Sequence, residues 1–82
     1  MTAKKRRISL EQAFGAVIRE LRMARGLSQE ELAEASGLHR TFVSQLERGL
    51  KSPSLVSMFS IAEALAIDAD ALVKLVSHKL SP

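Results

Sequence analysis

Cysteine, tryptophan and tyrosine are missing from this sequence of 82 residues, and phenylalanine occurs only three times. Without cysteine there is no disulfide, no thiolate nucleophile and no zinc site of the Cys-rich kind, so stability has to come from packing and a cytoplasmic location is expected. Without tryptophan or tyrosine there is no broad aromatic platform on which single-stranded bases could stack. Long hydrophobic runs are also lacking, and none approaches the ~20 residues that a membrane-spanning helix needs. Glu11 and Gln12 interrupt the stretch after the basic start, where a secretory signal would require about 7 to 15 consecutive apolar residues.

What is present suits one small globular domain: 46% hydrophobic and 26% charged residues, on a length expected to build a single core. The formal charge of +3 is unevenly spread. Lys4, Lys5, Arg6 and Arg7 form a basic arm within residues 1–8, whereas residues 8–82 hold eight Lys or Arg against nine Asp or Glu, one negative charge net. A basic arm on a nearly neutral body suits a polyanion partner, since each cation set against a phosphate releases a counterion. A solvated tail is the other reading of the same residues.

Apolar residues recur at helical rather than alternating spacing over residues 9–80. Ser9 with Gln12, and Ser28 with Glu31, are capping-box pairs that start two helices, and Gly26, Gly37 and Gly49 read as helix ends. The expected elements are helix 1 from Leu10 to Arg25, a short helix 2 over Gln29 to Ser36, and helix 3 over about His39 to Arg48. Helix 4 is marked by Leu55, Met58, Ile61, Ala62 and Leu65, and helix 5 is capped by Asp68. Five short helices and no strand make an all-α domain. Helix 5 carries Leu72, Val73, Leu75, Val76 and Leu80, a broader apolar surface than a monomer needs to bury. Leu50, Val73, Val76 and Leu80 are therefore expected at a contact between two copies of the chain.

Counted from Gln29, alanine falls at the fifth place (Ala33), glycine at the ninth (Gly37) and a β-branched residue at the fifteenth (Val43). Two helices crossing steeply through a three-residue turn touch where Ala33 meets Val43, so a small residue is required there. Gly37 supplies the left-handed backbone of the turn. That is the spacing of a helix-turn-helix. The stretch GLSQEELAEASGLHRTFVSQLERG, Gly26 to Gly49, followed by Pro53 and SIAEAL from Ser60, resembles the phage-repressor and Cro-like (XRE-type) regulators over about residues 14 to 73. Its RTFVSQLER run is also similar to the recognition helix of the controller proteins of restriction-modification systems.

The resemblance implies a compact five-helix, lambda-repressor-like domain that binds double-stranded operator DNA, commonly as a two-fold dimer. Arg40, Thr41, Ser44 and Gln45 fall at positions that such proteins use to read bases. Arginine can grip guanine O6 and N7 together, and threonine can set its methyl on thymine. Ser28, Gln29, His39, Arg48, Lys51 and Ser52 fall at phosphate-contacting positions, although Ser28 is equally explained as a helix cap. The resemblance further implies an ion pair between Arg22 and Glu47, each of which follows a core leucine. His39 is a poorer cap than the usual serine, threonine or aspartate, and Ala66 stands where relatives carry glycine.

An enzyme would need convergent acid, base or nucleophile groups, and His39 and His78 lie on different helices without metal-site companions, so no catalysis, metal or cofactor is expected. No small-molecule ligand or membrane partner is expected either. The competing reading is a protein-interaction module, an antitoxin or anti-repressor subunit, on the same fold.

Overall fold

The computed structural model describes residues 8–81, and among them it contains five α-helices and no strand: α1 (Leu10–Ala24), α2 (Gln29–Ser36), α3 (Arg40–Glu47), α4 (Leu55–Ala64) and α5 (Ala69–Leu80). The basic arm, Lys4 to Arg7, lies outside the described residues. No helix among them is long and apolar enough to cross a membrane.

Serine starts three of the helices. Ser9 and Ser28 complete reciprocal capping boxes with Gln12 and Glu31, and Ser54 accepts a hydrogen bond from the Ser57 backbone N–H at 3.0 Å. Each cap satisfies a helix-start donor that would otherwise be left to water. Asp68 occupies the corresponding place before α5 but makes no side-chain cap, contrary to its expected role. The first four helices end alike. Within two residues of the helix end the chain turns to positive φ, and the N–H of the following residue reaches back five positions: Leu27 to Arg22, Leu38 to Ala33, Leu50 to Gln45 and Ile67 to Ala62, all at 2.8–3.1 Å. Glycine holds this conformation at the first three sites, and Ala66 holds it at the fourth with φ 57°.

A Cβ in the left-handed region costs about 1–2 kcal/mol, partly offset by the greater freedom of an unfolded glycine. Ala66→Gly is therefore expected to raise stability by roughly 0.5–1 kcal/mol. Urea unfolding checks it, and a lower midpoint would show that the Ala66 methyl makes a packing contribution larger than its strain.

One core gathers side chains from every helix: Ile18, Leu32, Val43, Leu46, Ile61, Leu65 and Leu72 are fully buried. α1 lies against α3 and α5, and α2 against α3 and α4. Leu55, one of the residues whose spacing marks α4, is 67% exposed. One expectation changes here. Val76, expected at the contact between copies, is only 6% exposed and completes the core, while Leu80 is half-buried against it. The reason is azimuth: Leu72 and Val76 are four residues apart and share the side of α5 that faces the core. Val73 and Leu50 stay exposed, at 48% and 60%.

Candidate nucleic-acid interface

α2 and α3 are joined by Gly37, Leu38 and His39, with Gly37 at φ 73° and the Leu38 N–H bonded to Ala33 O at 2.8 Å. Ala33 and Val43 are buried where the helices meet. Leu46, one turn beyond Val43, extends the buried side of α3, so the opposite side is presented outward.

Two features lock α3 from beneath. At Gly15 of α1 an added Cβ would lie 2.2 Å from Leu46 O and 2.8 Å from Glu47 O, so the backbones of α1 and α3 approach as only glycine permits. The second is polar. Arg22 of α1 donates to Glu47 twice, Nε to Oε2 at 2.6 Å and Nη2 to Oε1 at 3.0 Å, and its Nη1 donates to Leu27 O at 2.8 Å. The Arg22 and Glu47 side chains are 12% and 2% exposed, as the resemblance implied for a family ion pair. Hydrogen bonding to Glu47 lifts the guanidinium further above its ordinary range, against burial, which pulls it down. The pair also answers a local electrostatic problem. Glu47 is the last residue of α3, where a carboxylate meets the negative end of the helix dipole. Gln29 Nε2 donates to Glu47 Oε1 at 3.0 Å, so one carboxylate ties the start of α2, the end of α3 and α1 together.

The residues singled out as candidates fall into three groups. Arg40 and Thr41 are exposed on the first turn of α3, and Ser44 and Gln45, half-buried, continue the same side one turn on. His39, Arg48 and Lys51 are exposed around them, and His39 makes no side-chain cap, which leaves its imidazole uncommitted by the helix start. The remaining three are engaged within the protein. Ser28 Oγ accepts from the Glu31 N–H, the Gln29 amide is turned onto Glu47, and Ser52 Oγ donates to Glu11 Oε2 at 3.1 Å. The Glu11 carboxyl lies below the usual carboxylate range, first through the backbone hydrogen bond at Glu11 and then through Ser52.

Gly15 was not among the sequence candidates, yet it sets the height of α3. A signal existed: a glycine inside a periodic helix costs about 1 kcal/mol relative to alanine and calls for a packing reason.

A family model described as helix-turn-helix matches residues 18–72. Control protein C.BamHI of Bacillus amyloliquefaciens is 40% identical over 55 residues, 66% of this chain and 68% of that protein. The crystal structure of the restriction-modification controller protein C.AhdI from Aeromonas hydrophila superimposes with a TM-score of 0.74 at 48% identity, over 76% of this chain and 94% of that one. A third similar structure is the C.Esp1396I controller tetramer in complex with its natural 35 base-pair operator, with a TM-score of 0.80 and 26% identity over 90% of this chain and 97% of that one.

Proposed function

The chain belongs to the helix-turn-helix family of transcriptional regulators, and from that premise we propose that it binds double-stranded operator DNA by setting the outer side of α3 in the major groove. The observation that carries this reading is the two-sidedness of α3. Val43 and Leu46 are fully buried, while Arg40 and Thr41 stand exposed at the end of the helix that would enter the groove first. Arg40 makes no side-chain hydrogen bond among the described residues, so its guanidinium is available for guanine O6 and N7. Thr41, Ser44 and Gln45 contribute the further base contacts. Arg48, Lys51 and His39 contact flanking phosphates, and Ser28, Gln29 and Ser52 contribute through whatever donors their internal bonds leave free. No catalytic step belongs to this reading.

Two copies act together. Leu10 and Val73 border an apolar groove of about 260 Å3 between α1, the loop before α4 and α5, floored by Phe14, Met58 and Val76. With Leu50, they offer a surface that pairing with a second copy would cover. A two-fold dimer sets its recognition helices about 34 Å apart, one turn of B-DNA, and reads a palindrome. The controller protein bound to its operator as a tetramer supports this arrangement.

Selection of bound duplexes from a random pool defines the site, and variants then assign the contacts. Arg40→Ala is expected to lose about 1–3 kcal/mol of discrimination at one base pair, with the fold unchanged. Lys51→Ala should weaken all duplexes alike and flatten the salt dependence by up to about 0.9 in log-log slope. An Arg40→Ala protein with the wild-type ratio of operator to scrambled binding would remove α3 from base reading. Val73→Asp, on the exposed side of α5, is expected to reduce a 2:1 complex on the palindrome to 1:1 in sedimentation. Persistence of the 2:1 complex with wild-type affinity would place the subunit contact elsewhere.

A further inference from the structure

The loop between α3 and α4 carries Lys51 across the start of α1. The Leu50 N–H is bonded to Gln45 O at 2.9 Å, and beyond it residues 51–53 donate no backbone hydrogen bond among the described residues. Two contacts with the first turn of α1 hold the loop instead. At Gly49 an added Cβ would lie 2.6 Å from Gln12 Cγ and 3.0 Å from Gln12 Cα, so the chain leaves α3 pressed against α1. Gln12 is itself fixed, its Oε1 accepting from the Ser9 N–H at 2.9 Å. Three residues on, Ser52 Oγ donates to Glu11 Oε2 at 3.1 Å, across 41 positions of sequence. Among the described residues this is the only side-chain hydrogen bond made by residues 48–53. Lys51 lies between the two contacts, exposed and in no ion pair with a described residue.

A carboxylate beside a loop that grips phosphate calls for a reason, because its charge repels the same ligand. The helix dipole favours an acid in the first turn of α1, but it does not require that acid to hold Ser52. The Glu11 carboxyl is kept below the usual range, first by the backbone hydrogen bond at Glu11 and then by Ser52, so the acceptor is ionised at neutral pH. Ionised acceptors make the stronger hydrogen bonds. With Ser52 held, the backbone on both sides of Lys51 is placed before any ligand arrives, and a pre-placed lysine loses less freedom on binding.

We propose that Glu11 is a positioning residue for the phosphate grip: by holding Ser52 it fixes the backbone at Lys51, so that the ammonium group meets a DNA phosphate with little further ordering. This inference rests on the reading of Lys51 as a phosphate contact.

Glu11→Ala and Glu11→Gln both remove the charge, but only glutamine keeps an oxygen that accepts from Ser52. Comparing the two therefore cancels the repulsion and isolates the bond. Affinity of the full chain for the selected operator duplex is measured by fluorescence anisotropy over a range of salt concentrations. Glu11→Gln is expected to bind about three- to tenfold more tightly than Glu11→Ala. The difference should vanish on a Ser52→Ala background, and equally on a Lys51→Ala background, because the effect passes through both residues. Glu11→Ala should also show a shallower log-log salt dependence than Glu11→Gln, by up to about 0.9, since a loosely held Lys51 releases less counterion. A purely structural role for Glu11 would leave that slope unchanged. Equal affinities and slopes for the two variants, or a difference that survives the loss of Ser52 or Lys51, overturns the proposal. So does wild-type affinity and slope in Lys51→Ala. Absence of duplex binding by the wild-type chain would instead reject the DNA reading itself, and this inference with it.

Discussion

Gly15→Ala is expected to destabilise the domain by about 3 kcal/mol or more, although alanine is the better helix former by roughly 1 kcal/mol. The new methyl carbon would stand 2.2 Å from the Leu46 carbonyl oxygen and 2.8 Å from that of Glu47. These obstacles are backbone atoms at the end of α3, so no rotamer change relieves the clash and the helices must separate. Marginal stability for a domain of this length, on the order of 4–12 kcal/mol, makes such a loss a large share of the total. Thermal unfolding should show a midpoint lower by roughly 12–24 °C. The sign is diagnostic. Intrinsic propensity alone makes the substitution stabilising, so an unchanged or higher midpoint would mean that α1 and α3 do not meet at Gly15. Because the displaced element is the DNA-reading helix, any folded fraction is also expected to bind its operator more weakly.

Removing one member of the Arg22–Glu47 pair is expected to cost about 3–5 kcal/mol, because the charge left behind has been taken out of water. The two single variants should differ. Arg22→Ala strands Glu47, whose side chain is 2% exposed and keeps only the Gln29 amide. Glu47→Ala strands Arg22, which is 12% exposed, keeps the Leu27 carbonyl and has a long stem with which to reach solvent. Arg22→Ala should therefore be the more damaging. The double replacement Arg22→Met/Glu47→Leu removes both charges and is expected to recover most of the loss. Urea unfolding of the four proteins forms the test. Additive losses in the double variant would show that the two groups stabilise independently and not as a pair.

Much of the fold is written in short-range signals. The capping boxes at Ser9 and Ser28 and the glycines at 26, 37 and 49 predict three of the helices, and the structure places them within a residue or two of the expected limits. The spacing of Ala33, Gly37 and Val43 predicts the helix-turn-helix, because a three-residue turn leaves two helices few ways to cross. Thr41 is legible for the same reason: once Val43 and Leu46 are known to face inward, helical geometry turns residue 41 away from them, whereas Arg40, three residues before Val43, borders that face and was indicated by the resemblance. Resemblance to the family supplied the Arg22–Glu47 pair, which no local pattern encodes across 25 positions.

Other features were beyond the sequence. α4 carries apolar residues around most of its circumference, so periodicity could not decide which side faces the core, and Leu55 proved exposed where Ile61 and Leu65 are buried. α5 has the same ambiguity, and its contact with α1 settled it by burying Val76 and leaving Val73 in solvent. The Gln29 amide could reach outward or inward, and the carboxylate of Glu47, delivered by another helix, turned it inward. Thus the sequence by itself determined where helices begin and end, that two of them form a reading unit, and which residue types that unit offers. Local hydrogen bonding and turn geometry depend on neighbours in the chain. Only the tertiary structure decided the depth of α3 on Gly15, the choice between two apolar sides of α4 and α5, and the partners of Gln29 and Ser52. Each of those depends on the relative rotation of whole helices, which is fixed by packing between residues distant in the chain.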